Sequence, residues 1–125
     1  MAVDASVKHL EFSNEGFLVS NYSDGVFVSW SINGQVIRHS RLRNDSINSM
    51  KINTEGNFLI MGGQSGEVRV WDAFNLEPLR TFPQCDTSIN DLALTHDQKY
   101  IITAMQSGSV VAFRVDFNKF KDVLH

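Results

Sequence analysis

The stretch Gly66-Glu67-Val68-Arg69-Val70-Trp71-Asp72 decides the fold, because its pattern occurs three times at a near-constant spacing. A glycine followed by a short run that closes on an aromatic residue is also found at 25–30 and at 108–113. The closing aromatics are Trp30, Trp71 and Phe113. Glycine at the start of each run supplies the positive φ that a two-residue hairpin turn demands. A period of about 40 residues indicates a repeat protein.

Two more apolar runs precede each of these stretches. The first runs begin at Ser6, Ser46 and Ser88, and their apolar residues fall in matching columns: Val7, Ile47 and Ile89; Leu10, Met50 and Leu92; Phe12, Ile52 and Leu94. The second runs occupy 17–19, 58–60 and 100–102, each after a polar turn. A fourth run follows in the first two units, at 35–39 after the hairpin signal Asn33-Gly34 and at 78–82.

Four short antiparallel strands per unit, with an aromatic residue closing the third, predict the blade of a β-propeller. The predicted fold is all-β: a partial propeller of three four-stranded antiparallel meanders, of which the last is incomplete. Blades are expected at about 6–45, 46–87 and 88–120, within one repeat region over 1–125. Residues 116–125 are predicted to be a polar tail, and its last part, 121–125, follows the blades. The alternative is an unrelated sandwich of regular hairpins.

Three blades do not close a ring, since propellers typically have four to eight. Apolar blade faces are therefore expected at both ends, where they favour association. The predicted partners are the remaining blades, in the same parent chain or by self-association. A C-terminal piece of a longer protein is the favoured interpretation, because the sequence enters directly at the first strand of a blade.

Composition narrows the function class. The net charge of -3 and the pI near 5.7 argue against a nucleic-acid surface, which is usually basic. No apolar run approaches the length of a membrane span, so direct membrane insertion is not expected. Cys85 is the single cysteine, which excludes an internal disulfide and favours the cytoplasm.

No catalytic constellation is recognisable, and the protein is predicted not to be an enzyme and to hold no cofactor or metal. The histidines His9, His39, His96 and His125 are scattered without metal-ligand spacing. Thr95-His96-Asp97 is interpreted as a turn between strands, because no matched nucleophile accompanies it. The glycines at 62–66 lack the strand-to-helix context of a phosphate-binding loop.

Binding of proteins is the predicted activity. Partner sites are expected on the face formed by the loops between second and third strands and between units. The candidate partner-binding residues there are Tyr22, Asp24, Arg41, Arg43, Asp45, Gln64, Gln84, Asp86 and Gln106. Arg38 joins Arg41 and Arg43 in a basic cluster, for which a merely solvated edge strand is an equal alternative. A structural role is predicted for Gly25, Trp30, Gly66, Trp71, Gly108 and Phe113.

A more specific resemblance rests on longer stretches. Residues 66–72 look like the generic WD motif. The segment 82–120, with Pro83-Gln84-Cys85-Asp86 and Ser107-Gly108-Ser109-Val110-Val111-Ala112-Phe113, is similar to the extreme C-terminus of neurobeachin-like BEACH-domain proteins. Phe27-Val28-Ser29-Trp30-Ser31-Ile32-Asn33-Gly34 resembles a blade of the same family. The ending at 121–125 departs from the aromatic-rich family ending.

The resemblance implies a non-catalytic scaffold module in vesicle trafficking and protein localisation. Such proteins are large cytosolic scaffolds that associate peripherally with endomembranes, and some anchor protein kinases, but these properties are not assignable to residues of this chain. The alternatives are purely structural blades that complete a propeller, or a generic WD-repeat subunit of another complex. WD blades often carry a buried relay that includes an Asp in the hairpin turn and the Trp. Asp24, six residues before Trp30, stands at the place of that Asp, so at most blade one is expected to hold a partial relay.

Overall fold

The computed structural model describes residues 5–123 and contains three successive antiparallel sheets. The first two sheets have four strands and the third has three, and in each the strands lie side by side in chain order. The strands are β1 (Val7–Ser13), β2 (Phe17–Tyr22), β3 (Val26–Ser31), β4 (Val36–Arg41), β5 (Ile47–Ile52), β6 (Phe58–Gly63), β7 (Val68–Asp72), β8 (Pro78–Thr81), β9 (Ile89–Leu94), β10 (Tyr100–Met105) and β11 (Val110–Arg114). The predicted fold of three blades, the last incomplete, is confirmed.

The hairpin glycines take the conformation that their sequence context predicts. Gly25, Gly66 and Gly108 have φ angles of 89°, 88° and 93°. The loop is longer than the predicted two residues, however. In blade one the N–H of Gly25 donates to the carbonyl of Tyr22 and β3 begins at Val26, so three residues connect the strands. A turn followed by a left-handed glycine is the usual form of a three-residue hairpin loop, and it keeps the strand twist.

Neighbouring blades pack face to face, so blade two is covered on both faces. Between blades one and two, Phe27 meets Trp71 with ring centroids 5.0 Å apart. This first core contains Phe17, Val19, Phe27, Ile47, Met50, Leu59, Met61, Trp71, Ala73 and Leu76. The second core lies between blades two and three and contains Phe58, Ile60, Val68, Val70, Phe82, Ile89, Leu92, Ile101 and Met105, among others. Packing of apolar faces therefore holds the blades together.

The outer faces of the first and last blades are open. On blade one, Phe12 and Ile32 are 63% and 75% exposed. Leu10 is exposed too, although its blade-two counterpart Met50 is buried in the first core. On blade three, Val110 is 70% exposed, whereas its counterpart Val68 is fully buried. The expected apolar ends are present in the structure.

The segment after the last strand corrects the sequence interpretation of a polar tail. A helix, α1 (Phe117–Val123), begins there, and Phe117 and Phe120 are buried in the second core. The ring centroid of Phe58 lies 5.4 Å from that of Phe117 and 5.6 Å from that of Phe120. Seven residues are too few for helical periodicity to stand out. Residues 124–125 of the predicted tail lie outside the described residues, and the division into blades at 45, 87 and 120 remains a prediction.

Candidate functional site: a cleft between the first two blades

One cleft collects five of the nine predicted partner-binding residues. The β2–β3 loop and the connection from β4 to β5 lie at the same end of the blades, because an antiparallel meander returns alternate loops to one end. Between them is a cleft of about 330 Å³. Its lining includes Lys8, Asn21, Tyr22, Asp24, Arg41, Arg43, Asn44 and Asp45.

Asp24 and Arg41 form an ion pair at the rim of this cleft. The Arg41 Nη2 atom lies 3.5 Å from Asp24 Oδ2, and Asp24 Oδ1 accepts the N–H of Val26. The predicted relay between Asp24 and Trp30 is wrong, because these contacts hold the carboxylate in the loop. The Trp30 indole N–H instead donates to Ser20 Oγ at 2.8 Å. The relay in blade one thus joins two strands without reaching the loop.

Asp45 supports the floor of the cleft. Its side chain is 1% exposed and forms a buried ion pair with Arg69. Ser65 donates to Asp45 from both Oγ and the backbone N–H, at 2.6 and 2.9 Å. Burial alone would raise the pKa of Asp45, but the hydrogen bonds from Ser65, Arg69 and the Ser46 N–H outweigh it and lower the pKa. Asp45 therefore ties the connection between blades to the β6–β7 loop of blade two.

Arg69 was not among the predicted site residues, whereas Ser65 lies in a loop of the predicted binding face without being one of the nine candidates. The sequence signal for Ser65 was its place directly before the hairpin glycine Gly66, which is the loop position that Asp24 holds in blade one. Arg69 lies within β7, where a charged residue in an otherwise apolar run points to a buried partner. That the partner is Asp45, 24 residues earlier, follows only from the tertiary structure.

The cleft presents two cations that no carboxylate neutralises within residues 5–123. Lys8 Nζ donates to the Ile47 carbonyl at 2.9 Å and to Ser46 Oγ at 3.0 Å. Arg43 is exposed and forms no ion pair with a described residue. Both cations remain available to an anionic group that enters the cleft.

Asn21, at the end of the cleft, adds a buried acceptor. The residue is 1% exposed, and its Oδ1 atom has no hydrogen-bond donor among the described residues. Its Nδ2 atom donates to the Val26 carbonyl at 3.3 Å. A buried acceptor without a donor is costly, so Asn21 lowers the stability of this end of blade one.

The other predicted partner-binding residues lie outside this cleft. Gln64 accepts a hydrogen bond from Asn48, Gln84 donates to the Ser65 carbonyl at 2.6 Å, and Gln106 accepts one from Ser88. Asp86 is exposed in the β8–β9 connection. Arg38 does not line the cleft either, so the structure separates it from the two other arginines of the predicted basic cluster. A partner-binding role for these residues remains a prediction.

The structure also places the other residues that the sequence analysis examined for catalysis or metal binding. No group of three or more His, Cys, Asp or Glu side chains that could hold a metal occurs within 5–123. Burial, together with the charge of Asp86, raises the pKa of the Cys85 thiol. Thr95 Oγ1 donates to Asp97 at 2.7 Å within a turn, as predicted. Within the same part of the chain, no helix has the length and apolar character needed to span a membrane.

Known proteins share both this fold and parts of this sequence. The chain is 25% identical over 114 residues to the putative neurobeachin homolog of Caenorhabditis elegans, a match that covers 91% of the chain and 4% of that protein. It is 32% identical over 100 residues to the human lysosomal-trafficking regulator, covering 74% of the chain and 3% of that protein. The chain thus spans only a small part of the curated relatives that it matches. The predicted resemblance to neurobeachin-like BEACH-domain proteins is confirmed.

Among solved structures, the chain resembles the WD40 repeats of RRP9 with a TM-score of 0.82 and 19% identity. That match covers 92% of the chain and 37% of the other chain, and it supports the fold alone. WD-repeat proteins of this kind are typically non-catalytic and generally mediate protein–protein interactions. The family model that matches is that of eukaryotic translation initiation factor eIF2A, over residues 11–121. The chain belongs to this family and forms a partial WD-repeat propeller.

Proposed function

We propose that the chain is a protein-interaction scaffold module that binds an acidic segment of a partner protein in the cleft between blades one and two. The observation that carries the proposal is the pair of cations, Lys8 and Arg43, that no carboxylate of the described residues neutralises. Asp45 has a supporting role, because its oxygens are already hydrogen-bonded.

We further propose that this binding acts in vesicle trafficking and protein localisation, in the cytoplasm. Support comes from the matches to a neurobeachin homolog and to a lysosomal-trafficking regulator. Peripheral association with endomembranes would then come from a longer parent protein. The remaining propeller blades, from the same parent chain or from another copy, would cover the open faces of blades one and three.

Charge reversal in the cleft tests the binding proposal. On an array of acidic peptides, the variant Arg43→Glu should no longer bind the peptides that the unmodified chain binds. Arg38→Glu is the matched control, because it makes the same charge change at an exposed site outside the cleft. Equal binding by both variants would favour the purely structural alternative, in which the blades only complete a ring.

A second candidate rests on the family match. The family's name refers to translation initiation, and the match covers most of the chain. As a generic WD-repeat subunit, the chain would join an initiation complex through protein contacts. Sedimentation of cell extracts separates the two candidates: the parent protein would sediment with translation initiation complexes under the second and with endomembranes under the first.

A further inference from the structure

A second groove lies at the opposite end of blades one and two. The β1–β2, β5–β6 and β7–β8 turns meet there, around a groove of about 240 Å³. Its lining residues are Glu15, Phe17, Gly56, Asn57, Asp72 and Phe74. Residues of both blades line the groove, and all of them are among the described residues.

The apolar wall is a fixed aromatic pair. Phe17 is buried in the first core, and the Phe74 ring meets it edge to face with centroids 5.3 Å apart. The Phe74 carbonyl accepts a hydrogen bond from Ser29 Oγ at 2.9 Å, which anchors the β7–β8 turn to blade one. Phe74 is nevertheless 46% exposed. A held but exposed aromatic ring offers a face for stacking.

The polar wall carries two carboxylates without a cation. Asp72 is 6% exposed, and its Oδ1 atom accepts the N–H of Asn75 at 2.7 Å. Within residues 5–123, neither Asp72 nor Glu15 forms an ion pair. A nearly buried carboxylate without a counter-charge is unfavourable, and a cation supplied from outside would relieve that cost.

We propose that this groove binds an arginine side chain of a partner protein. The guanidinium would donate to the carboxylates of Glu15 and Asp72, and its plane would stack on the Phe74 ring. Arginine fits better than lysine, because a planar guanidinium both stacks on aromatic rings and donates in a fork. The volume of about 240 Å³ lies below the range of typical small-molecule sites and suits a single side chain.

The test uses short peptides with blocked ends and one charged side chain. The tripeptide acetyl-Gly-Arg-Gly-amide is titrated into the full chain, and backbone amide shifts are followed by NMR. The shifts should concentrate at Gly56, Asn57 and Phe74. The same peptide with citrulline, which keeps the shape but lacks the charge, should leave these amides unchanged. The lysine peptide should bind more weakly than the arginine peptide.

Two exposed substitutions identify the groups that bind. Glu15→Gln and Phe74→Ala should each weaken binding of the arginine peptide roughly threefold, the scale of one exposed cation–π or charge contact. Their matched controls are Glu77→Gln and Tyr100→Ala, which change exposed residues that do not line the groove. Unchanged affinity in both groove variants, or equal shifts with citrulline, would overturn the proposal. Because Arg43→Glu leaves this groove intact, failure of the acidic-peptide site would be a separate result.

Discussion

The hydroxyl of Ser65 lies 2.6 Å from the Asp45 carboxylate and donates to it across 20 residues of chain. Arg69 reaches the same carboxylate from β7, and its second nitrogen pairs with Glu67 at 2.8 Å. A hairpin loop, a strand and the connection between blades one and two are joined by this one acid. The shape of the proposed cleft therefore depends on the buried hydrogen bonds of Asp45, which lie below its surface.

Removing the acid should destabilise the chain. Asp45→Ala leaves Arg69 and the Ser65 N–H without their partner, and loss of a buried pair costs about 3 kcal/mol in the free energy of unfolding. Urea denaturation followed by tryptophan fluorescence measures this loss. Asp86→Ala, at an exposed site, should change stability by less than about 0.5 kcal/mol. Equal losses in the two variants would mean that the network contributes nothing specific.

The same carboxylate should make stability depend on acid. The folded pKa of Asp45 lies below its ordinary value of 3.8, so the unfolded chain takes up the proton first as the pH falls. Its contribution is full above pH 3.8 and is lost as the pH drops through the lower folded pKa. Between pH 5 and pH 2, Asp45→Asn should therefore lose less stability than the unmodified chain. Parallel acid dependence in the two proteins would contradict this assignment.

Gly66 and Gly108 have nearly equal φ angles but differ in the space available for a Cβ atom. An added Cβ at Gly66 would meet the carbonyl oxygens of Cys85 and Thr87 at 2.7 Å, whereas at Gly108 it would meet nothing within 4 Å. Gly108→Ala should cost about 1 kcal/mol, the penalty for a left-handed alanine. Gly66→Ala should cost roughly 1 to 3 kcal/mol more, because the backbone must move. Thermal unfolding of both variants gives the difference, and equal melting temperatures would count against the close approach.

The C-terminal helix should contribute to the second core. Phe120→Ala removes a buried ring that contacts Phe58, and such truncations cost about 3 kcal/mol. Lys119→Ala, at an exposed position of the same helix, should change stability little. Urea denaturation compares the variants. Unchanged stability of Phe120→Ala would favour the sequence-based interpretation of 116–125 as a polar tail.

The open face of blade one should drive association. Light scattering on a size-exclusion column is expected to give a mass above that of a 14.1 kDa monomer, because Leu10, Phe12 and Ile32 of blade one are exposed. Phe12→Lys should lower the mass without lowering stability, whereas Asn14→Lys, in the exposed β1–β2 turn, should leave it unchanged. A well-behaved monomer at every concentration would show that three blades stand alone.

The repeat could be predicted from the sequence because the residues that define each blade lie close together in the chain. Each blade needs a left-handed glycine, alternating apolar runs and a closing aromatic, and these stand at fixed offsets from Trp30, Trp71 and Phe113. The incomplete third sheet was predicted for the same reason, since no fourth apolar run follows Phe113. Helix α1 was missed because two turns of helix leave too short a pattern, and burial of its phenylalanines depends on Phe58 in another blade.

The candidate site was only partly readable. Asp24, Arg41 and Arg43 were predicted to share a binding face because of their positions in the loops, and all three line the cleft. The sequence by itself determined the blades, their order and the end of the blades at which their loops meet. Only the tertiary structure decided that Asp45 is buried with Arg69, that Arg43 forms no ion pair with a described residue, and that Glu15 of blade one shares a groove with Phe74 of blade two. Such pairings form between blades, and their distances depend on how apolar faces some 40 residues apart pack together.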